Sequence, residues 1–293
     1  MLRAPRSFPY SLLLPATIVM LAVVLFPLGY SFWLAFRNMS LYHFRTHEFV
    51  GLDNFQLVLT EPIFWTLLGK SLVWTGVNVF FHVALGVLLA ILLSGPVRGK
   101  TILRTMLVLP WAMPQYISAL TWRGMFNFEY GAINLILKQW FHLPPVPWLS
   151  DPTWAFVAPI LTNIWLGFPF MMVVALGGLT SIPADLYEAA ELDGANGWEK
   201  FTNVTLPSLM PVLVPSILLG TIWTFNNTLV VWLVSNGGQP ADATHILVTY
   251  IYKVAFTYSR YSYAAAFSVV VFLMLLGFVV YVMRRTSSQE RTA

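Results

Sequence analysis

The chain has 293 residues, of which 58% are hydrophobic and 10% charged. A soluble domain carries about 25% charged residues, so an ordinary soluble fold is excluded and the surplus apolar surface belongs in lipid. Cys 0 removes disulfides, thiolate metal clusters and cysteine nucleophiles, and the net charge of +4 lies in short segments with no basic stripe, which argues against nucleic acid.

A helix crosses a hydrocarbon core of about 30 Å with about 20 residues, because each residue rises about 1.5 Å. Six apolar runs meet that length, at about Leu12–Phe36, Ser71–Leu93, Leu103–Phe126, Trp154–Leu179, Leu209–Val234 and Ala264–Met283. The first run follows Arg3 and Arg6 but is longer than the apolar region of about 7–15 residues in a cleavable signal peptide, so it reads as an uncleaved span. Pro27, Pro110, Pro114, Pro159 and Pro169 fall in the runs, and each removes a backbone donor and is expected to kink its helix.

Basic residues set the expected orientation. Arg3 and Arg6, then Arg98, Lys100 and Arg104, then Arg284 and Arg285 flank alternate ends of the spans, which places both termini in the cytoplasm. One cytoplasmic loop breaks the pattern, carrying Asp185, Glu188, Glu191, Asp193 and Glu199 with Lys200 as its only base.

Every acidic residue lies outside the proposed spans, which weighs against a proton- or sodium-coupled carrier. No GxSxG, HExxH or CxxC spacing supplies a nucleophile or a metal site. His43 and His47 have helical spacing, but two imidazoles are too few ligands for a metal site. Ser94–Thr101 resembles a phosphate loop with Gly95 one residue out of register, and it links two apolar runs where a phosphate loop joins a strand to a helix. Asn78 and His82, one turn apart in the second run, either line a pathway or bond to a neighbouring helix, the second reading being favoured.

The acidic loop, at about residues 183–207, reads Glu188-Ala189-Ala190-Glu191-Leu192-Asp193-Gly194-Ala195, then Phe201, then Leu206-Pro207. This pattern predicts a short helix, a glycine stop, a second helical piece and a proline-marked return to the membrane, with Asp185 and Glu188 placed as a capping box. The string resembles the "EAA" loop of ABC importer permeases. Further strings resemble the permease subunit of maltose-type importers: Phe49-Val50-Gly51-Leu52-Asp53-Asn54-Phe55, Gly131-Ala132-Ile133-Asn134, Asn163 to Met172, Phe225-Asn226-Asn227, Ile246 to Lys253, and Tyr263-Ala264-Ala265-Ala266.

The resemblance implies an all-α polytopic membrane protein, a single permease domain over residues 1–293 with about six transmembrane helices of the type I ABC importer architecture and a cytoplasmic coupling helix. It implies a prokaryotic inner-membrane subunit without enzymatic activity that pairs with a second homologous permease as a heterodimer, two cytoplasmic ATPase subunits and an extracytoplasmic sugar-binding protein. No cofactor is then bound by this chain, ATP and Mg being held by the ATPase subunits. Glu188, Ala189, Ala190, Asp193 and Gly194 would couple ATP-driven closure of those subunits to the permease.

From the residues themselves, Asn163, Gly167 and Phe170 share one helical face, and Gly220, Thr224 and Asn227 a second. Amides and hydroxyls match sugar hydroxyls and an aromatic face covers a sugar ring, although interhelical bonding is the competing use of buried Asn. The resemblance assigns the sugar to Asn163, Leu166, Gly167, Phe170, Gly220, Thr224 and Asn227, and favours maltose, maltodextrins or a related disaccharide such as trehalose. Phe170, Gly220 and Thr224 stand where the family pattern favours Tyr, Ser and Asn, which leaves fewer hydrogen-bonding groups.

Overall fold

Apolar runs that exceed what one helix can bury in water fold here as helices throughout. The computed structural model describes residues 8–290, with side chains over residues 12–284; Arg3 and Arg6, and the side chain of Arg285, lie outside them. In chain order the helices are α1 (Phe8–Met20), which runs through a π-helical turn into α2 (Phe26–Ala35), then α3 (Asp53–Thr60), α4 (Pro62–Ser94), α5 (Lys100–Ala112), α6 (Gln115–Met125) and α7 (Ala132–Trp140). They continue with α8 (Pro152–Thr180), α9 (Ala184–Leu192), α10 (Gly197–Lys200), a π-helical turn, α11 (Leu206–Phe225), α12 (Thr228–Val234), α13 (Leu247–Phe256) and α14 (Tyr261–Glu290). Strand pairing among the described residues is limited to one antiparallel bridge, Arg37 to Phe49.

Five stretches among the described residues are helical, long and apolar enough to cross a membrane: Leu12–Ala35, Pro62–Ser94, Pro152–Thr180, Gly197–Phe225 and Tyr261–Arg284. The expected third span is divided. α5 has 13 residues and α6 has 11, each short of a full crossing, because Pro114 forces Met113 into extended backbone (φ −75°, ψ 143°) between them. The expected fifth span is also divided, since α11 ends at Phe225 and α12 restarts at Thr228 under an Asn227 cap. Pro110, Pro159 and Pro169 lie inside helices, where each deprives a carbonyl one turn earlier of its donor.

Two compact units divide the chain. One runs to Trp65 and resumes over Tyr250–Tyr281; the other takes Thr66–Thr249 and the chain from Val282. In the first, Asn54 Nδ2 donates to the carbonyls of Ala35 (2.9 Å) and Arg37 (2.6 Å), which explains a polar residue in the Phe49–Phe55 string. Met39 N–H donates to Ser262 Oγ at 2.8 Å and Ser262 N–H returns the bond to Met39 O at 3.0 Å. Tyr263 donates its hydroxyl proton to Glu61, and Ala264, Ala265 and Ala266 are buried behind it.

The second unit is organised on α8, half of whose apolar window is buried (50%). One face of α8 joins Trp74, Phe126, Trp148 and Val230 in a core cluster, and its C-terminal half joins Val87, Leu93, Leu209 and Leu213 in another. Asn134 of α7 closes the preceding loop: its Nδ2 donates to Phe128 O and Val146 O, and its Oδ1 accepts from Val146 N–H and from Trp148 Nε1–H. The Gly131–Asn134 string is therefore a structural clasp.

Candidate functional site: a polar and aromatic cavity and a separate acidic loop

Where α8 faces the junction of α11 and α12, the second unit carries an open cavity of about 560 Å³. Asn163, Leu166, Gly167, Phe170, Gly220, Thr224 and Asn227 all line it. The helical spacing accounts for the first four and for Gly220 and Thr224. It does not account for Asn227, which lies past the end of α11 at Phe225 and reaches the cavity because the helix breaks there.

The break gives Asn227 a defined orientation. Its Oδ1 accepts from Val230 N–H at 3.1 Å, capping α12, so its Nδ2 is the group that donates to Asn163 Oδ1 at 2.9 Å. That leaves Asn163 Nδ2 as a buried donor without a partner in the protein. A buried, unsatisfied amide costs about 1–3 kcal/mol, a cost that this packing of α8 against the break carries. Trp74 Nε1 donates to Thr224 O at 2.8 Å and pins the last turn of α11.

Trp111, Gln115, His82, Trp223, Asn226 and Thr228 also line the cavity, and sequence reasoning did not assign them to a site. Trp111 and Gln115 flank the Pro110–Pro114 interruption, the one sequence signal that pointed there. Trp111, Phe170 and Trp223 form a run of rings, with centroids 6.2 Å and 5.5 Å apart. His82 bonds to a neighbouring helix as the favoured reading expected, Nε2 donating to Asn163 O at 2.8 Å, yet it also lines the cavity. A Cβ on Gly167 would fall 2.3 Å from the His82 ring, so the two helices approach this closely only because residue 167 is glycine. No Asp, Glu, Lys or Arg is among the lining residues.

The acidic loop forms a second polar region. α9 stops at Gly194 (φ +77°), where Ala195 N–H bonds to Ala190 O (2.9 Å) and Gly194 N–H to Glu191 O (3.0 Å), the two bonds of a Schellman stop. The expected Asp185–Glu188 capping box is absent, because Pro183 occupies the N-cap and makes no side-chain bond. A capping box forms instead on α10, where Asn196 Oδ1 accepts from Trp198 and Glu199 N–H and Glu199 Oε2 accepts from Asn196 N–H. Lys200 Nζ meets Glu191 Oε1 at 2.6 Å and holds that carboxyl below the usual carboxylate range, by hydrogen bonding first and charge second. Glu188, Ala189, Asp193 and Gly194 are exposed and Ala190 is half-buried. Leu192 (90%) and Trp198 (71%) are exposed beside them, an apolar presentation unlike a solvated connector.

His43 and His47 fall in a loop, His47 Nδ1 meeting Phe44 O, and no metal-forming cluster occurs among the described residues. Ser94–Thr101 covers the end of α4, the connection at residues 95–99 and the start of α5.

Residues 82–291 match the family described as binding-protein-dependent transport system inner membrane component. The chain is 36% identical over 301 residues to the galactooligosaccharides transport system permease protein GanP of Bacillus subtilis, covering 98% of this chain and 72% of that one. It is 35% identical over 274 residues to the trehalose/maltose transport system permease protein MalF of Thermococcus litoralis, covering 92% and 90%. Its fold matches a chain in the crystal structure of a bacterial ABC transporter involved in the import of the acidic polysaccharide alginate, with a TM-score of 0.79 at 23% identity over 95% and 94% of the two chains. The chain belongs to the family of binding-protein-dependent transport system inner membrane components, as a multi-pass permease subunit of the ABC importer fold and not an enzyme.

Proposed function

We propose that this permease carries a neutral oligosaccharide, of the maltodextrin, trehalose or galactooligosaccharide kind named for its relatives, through the cavity on α8, α11 and α12. The carrying observation is the lining: amides and hydroxyls of Asn163, Thr224 and Asn227 stand with the rings of Trp111, Phe170 and Trp223, and no charged side chain is among them. Sugar hydroxyls pair with the first group and the apolar faces of sugar rings with the second, while an anionic cargo would meet no basic side chain. A second, homologous permease completes the pathway, and an extracytoplasmic sugar-binding protein delivers the cargo. Two cytoplasmic ATPase subunits bind ATP and Mg, and this chain binds neither.

Both termini lie in the cytoplasm, which puts exposed Leu192 of α9 and Trp198 of α10 on the side of the ATPases. Glu188, Ala189, Ala190, Asp193 and Gly194 form the docking surface through which ATP-driven closure moves the helices and turns the cavity from outward to inward access. Affinity purification of the tagged chain with its partners, followed by uptake of maltose, trehalose and galactobiose in proteoliposomes, tests this reading. It predicts two ATPases and one second permease per copy and uptake that persists when ion gradients are collapsed but ATP is present. A solitary chain, or uptake that follows an ion gradient, overturns it.

A further inference from the structure

His82 has one nitrogen more than its structural bond uses. Its Nε2 lies 2.8 Å from the carbonyl oxygen of Asn163, and a carbonyl only accepts, so the proton sits on Nε2. In the neutral ring Nδ1 is then a lone-pair acceptor. That nitrogen takes no hydrogen bond within the protein and is not among the polar atoms sealed from open space, and the ring lines the cavity. Gly167 holds the ring against α8, since any side chain there would collide with it.

We infer that His82 is a specificity-determining residue of the cavity, its Nδ1 accepting a hydrogen bond from a sugar hydroxyl. A hydroxyl donates, so an acceptor at this point selects it over a hydrogen, a methyl ether or a carboxylate, each of which leaves the nitrogen unpaired. The Nε2–H···O bond to the Asn163 main chain sets the ring plane, and with it the direction of the Nδ1 lone pair. The inference rests on the proposed sugar cavity and gives it a hydroxyl-reading element on α4, outside the two helical faces.

The test uses the full assembly in proteoliposomes. Wild type is assayed first with maltose, trehalose and galactobiose, and the transported sugar is then compared with its set of monodeoxy analogues by competition. His82→Phe keeps the ring volume against Gly167 and removes both nitrogens; His82→Leu also removes both and leaves a smaller side chain. In wild type, at least one monodeoxy analogue competes about three- to tenfold less well than the parent sugar, the range expected for one neutral hydrogen bond. In His82→Phe that same analogue and the parent compete equally, while penalties at the other hydroxyls are unchanged. An identical penalty pattern in wild type and His82→Phe overturns the inference and leaves the sugar cavity standing. If His82→Phe fails to assemble, His82→Leu is read in the same way, and an unchanged pattern there is equally adverse. Failure of wild type to transport any of the three sugars overturns the underlying reading, a result distinct from an unchanged analogue pattern.

Discussion

Asn227 donates its side-chain N–H to Asn163 Oδ1 at 2.9 Å, joining the break between α11 and α12 to the middle of α8. The same Asn227 caps α12 through Val230 N–H, so one side chain both ends a helix interruption and fixes the orientation of the Asn163 amide. Measured interhelical hydrogen bonds in membranes average only about 0.6 kcal/mol, so the bond is better regarded as orientation than as glue.

Replacing Asn227 with Ala removes the cap, worth about 1 kcal/mol, and frees the Asn163 side chain to rotate. Sugar uptake at low concentration falls by about an order of magnitude while co-purification of the ATPases is unchanged. Uptake equal to wild type across a range of sugar concentrations would return Asn227 to a packing role.

Gly167→Ala places a Cβ against the His82 ring, at a nominal 2.3 Å that the backbone must relieve. Overpacking of this kind costs about 1–3 kcal/mol, so the melting temperature of the detergent-solubilised assembly drops. Adding His82→Ala vacates the space and recovers most of the loss. A double variant no more stable than Gly167→Ala alone would show that the ring is not what requires glycine.

Gly194→Pro removes the N–H that bonds to Glu191 O and drives φ from +77° towards about −65°, undoing the stop of α9. Glu188→Ala leaves the exposed helix intact and changes only its surface. Both variants insert into membranes, and both lose transport and sugar-stimulated ATP hydrolysis. Stimulated hydrolysis at the wild-type level would remove the loop from coupling.

The Glu191 carboxyl is depressed by Lys200, so the pair's contribution is present above the ordinary glutamate range and is lost as pH falls through the lowered value. Because the site is exposed, the effect on stability is small. In Lys200→Ala the titration midpoint of Glu191, followed by carboxyl NMR in selectively labelled protein, moves upward. An unmoved midpoint would mean that the pair does not form in solution.

Much of this arrangement is legible in one dimension because the bilayer reads the chain locally. An apolar run either reaches about 20 residues or it does not, which is why the first, second, fourth and sixth runs emerge as long helices and the acidic residues stay outside them. The Gly194 stop is equally local, since a positive φ is a property of one residue. So is the helical face that carries Asn163, Gly167 and Phe170.

What depended on distant partners was hidden. Hydropathy counts Met113 and Phe225 with their neighbours, so it passed through the interruptions that Pro114 and Asn227 impose. Asp185 and Asn196 are both acceptable caps by type, but α9 already starts after Pro183, which leaves Asp185 inside its first turn, and only Asn196, ahead of α10, caps. His82 and Gly167 are 85 positions apart in the numbering, and nothing in either local sequence announces that a ring and a missing Cβ meet. The sequence by itself determined four of the long helices, the helix-and-glycine pattern of the acidic loop and two of the cavity's walls, because those follow from local backbone and solvent preferences. The tertiary structure alone decided which way the Asn163 and Asn227 amides are turned and which imidazole nitrogen is left over, because hydrogen-bond direction is settled only when the partner helix is in place.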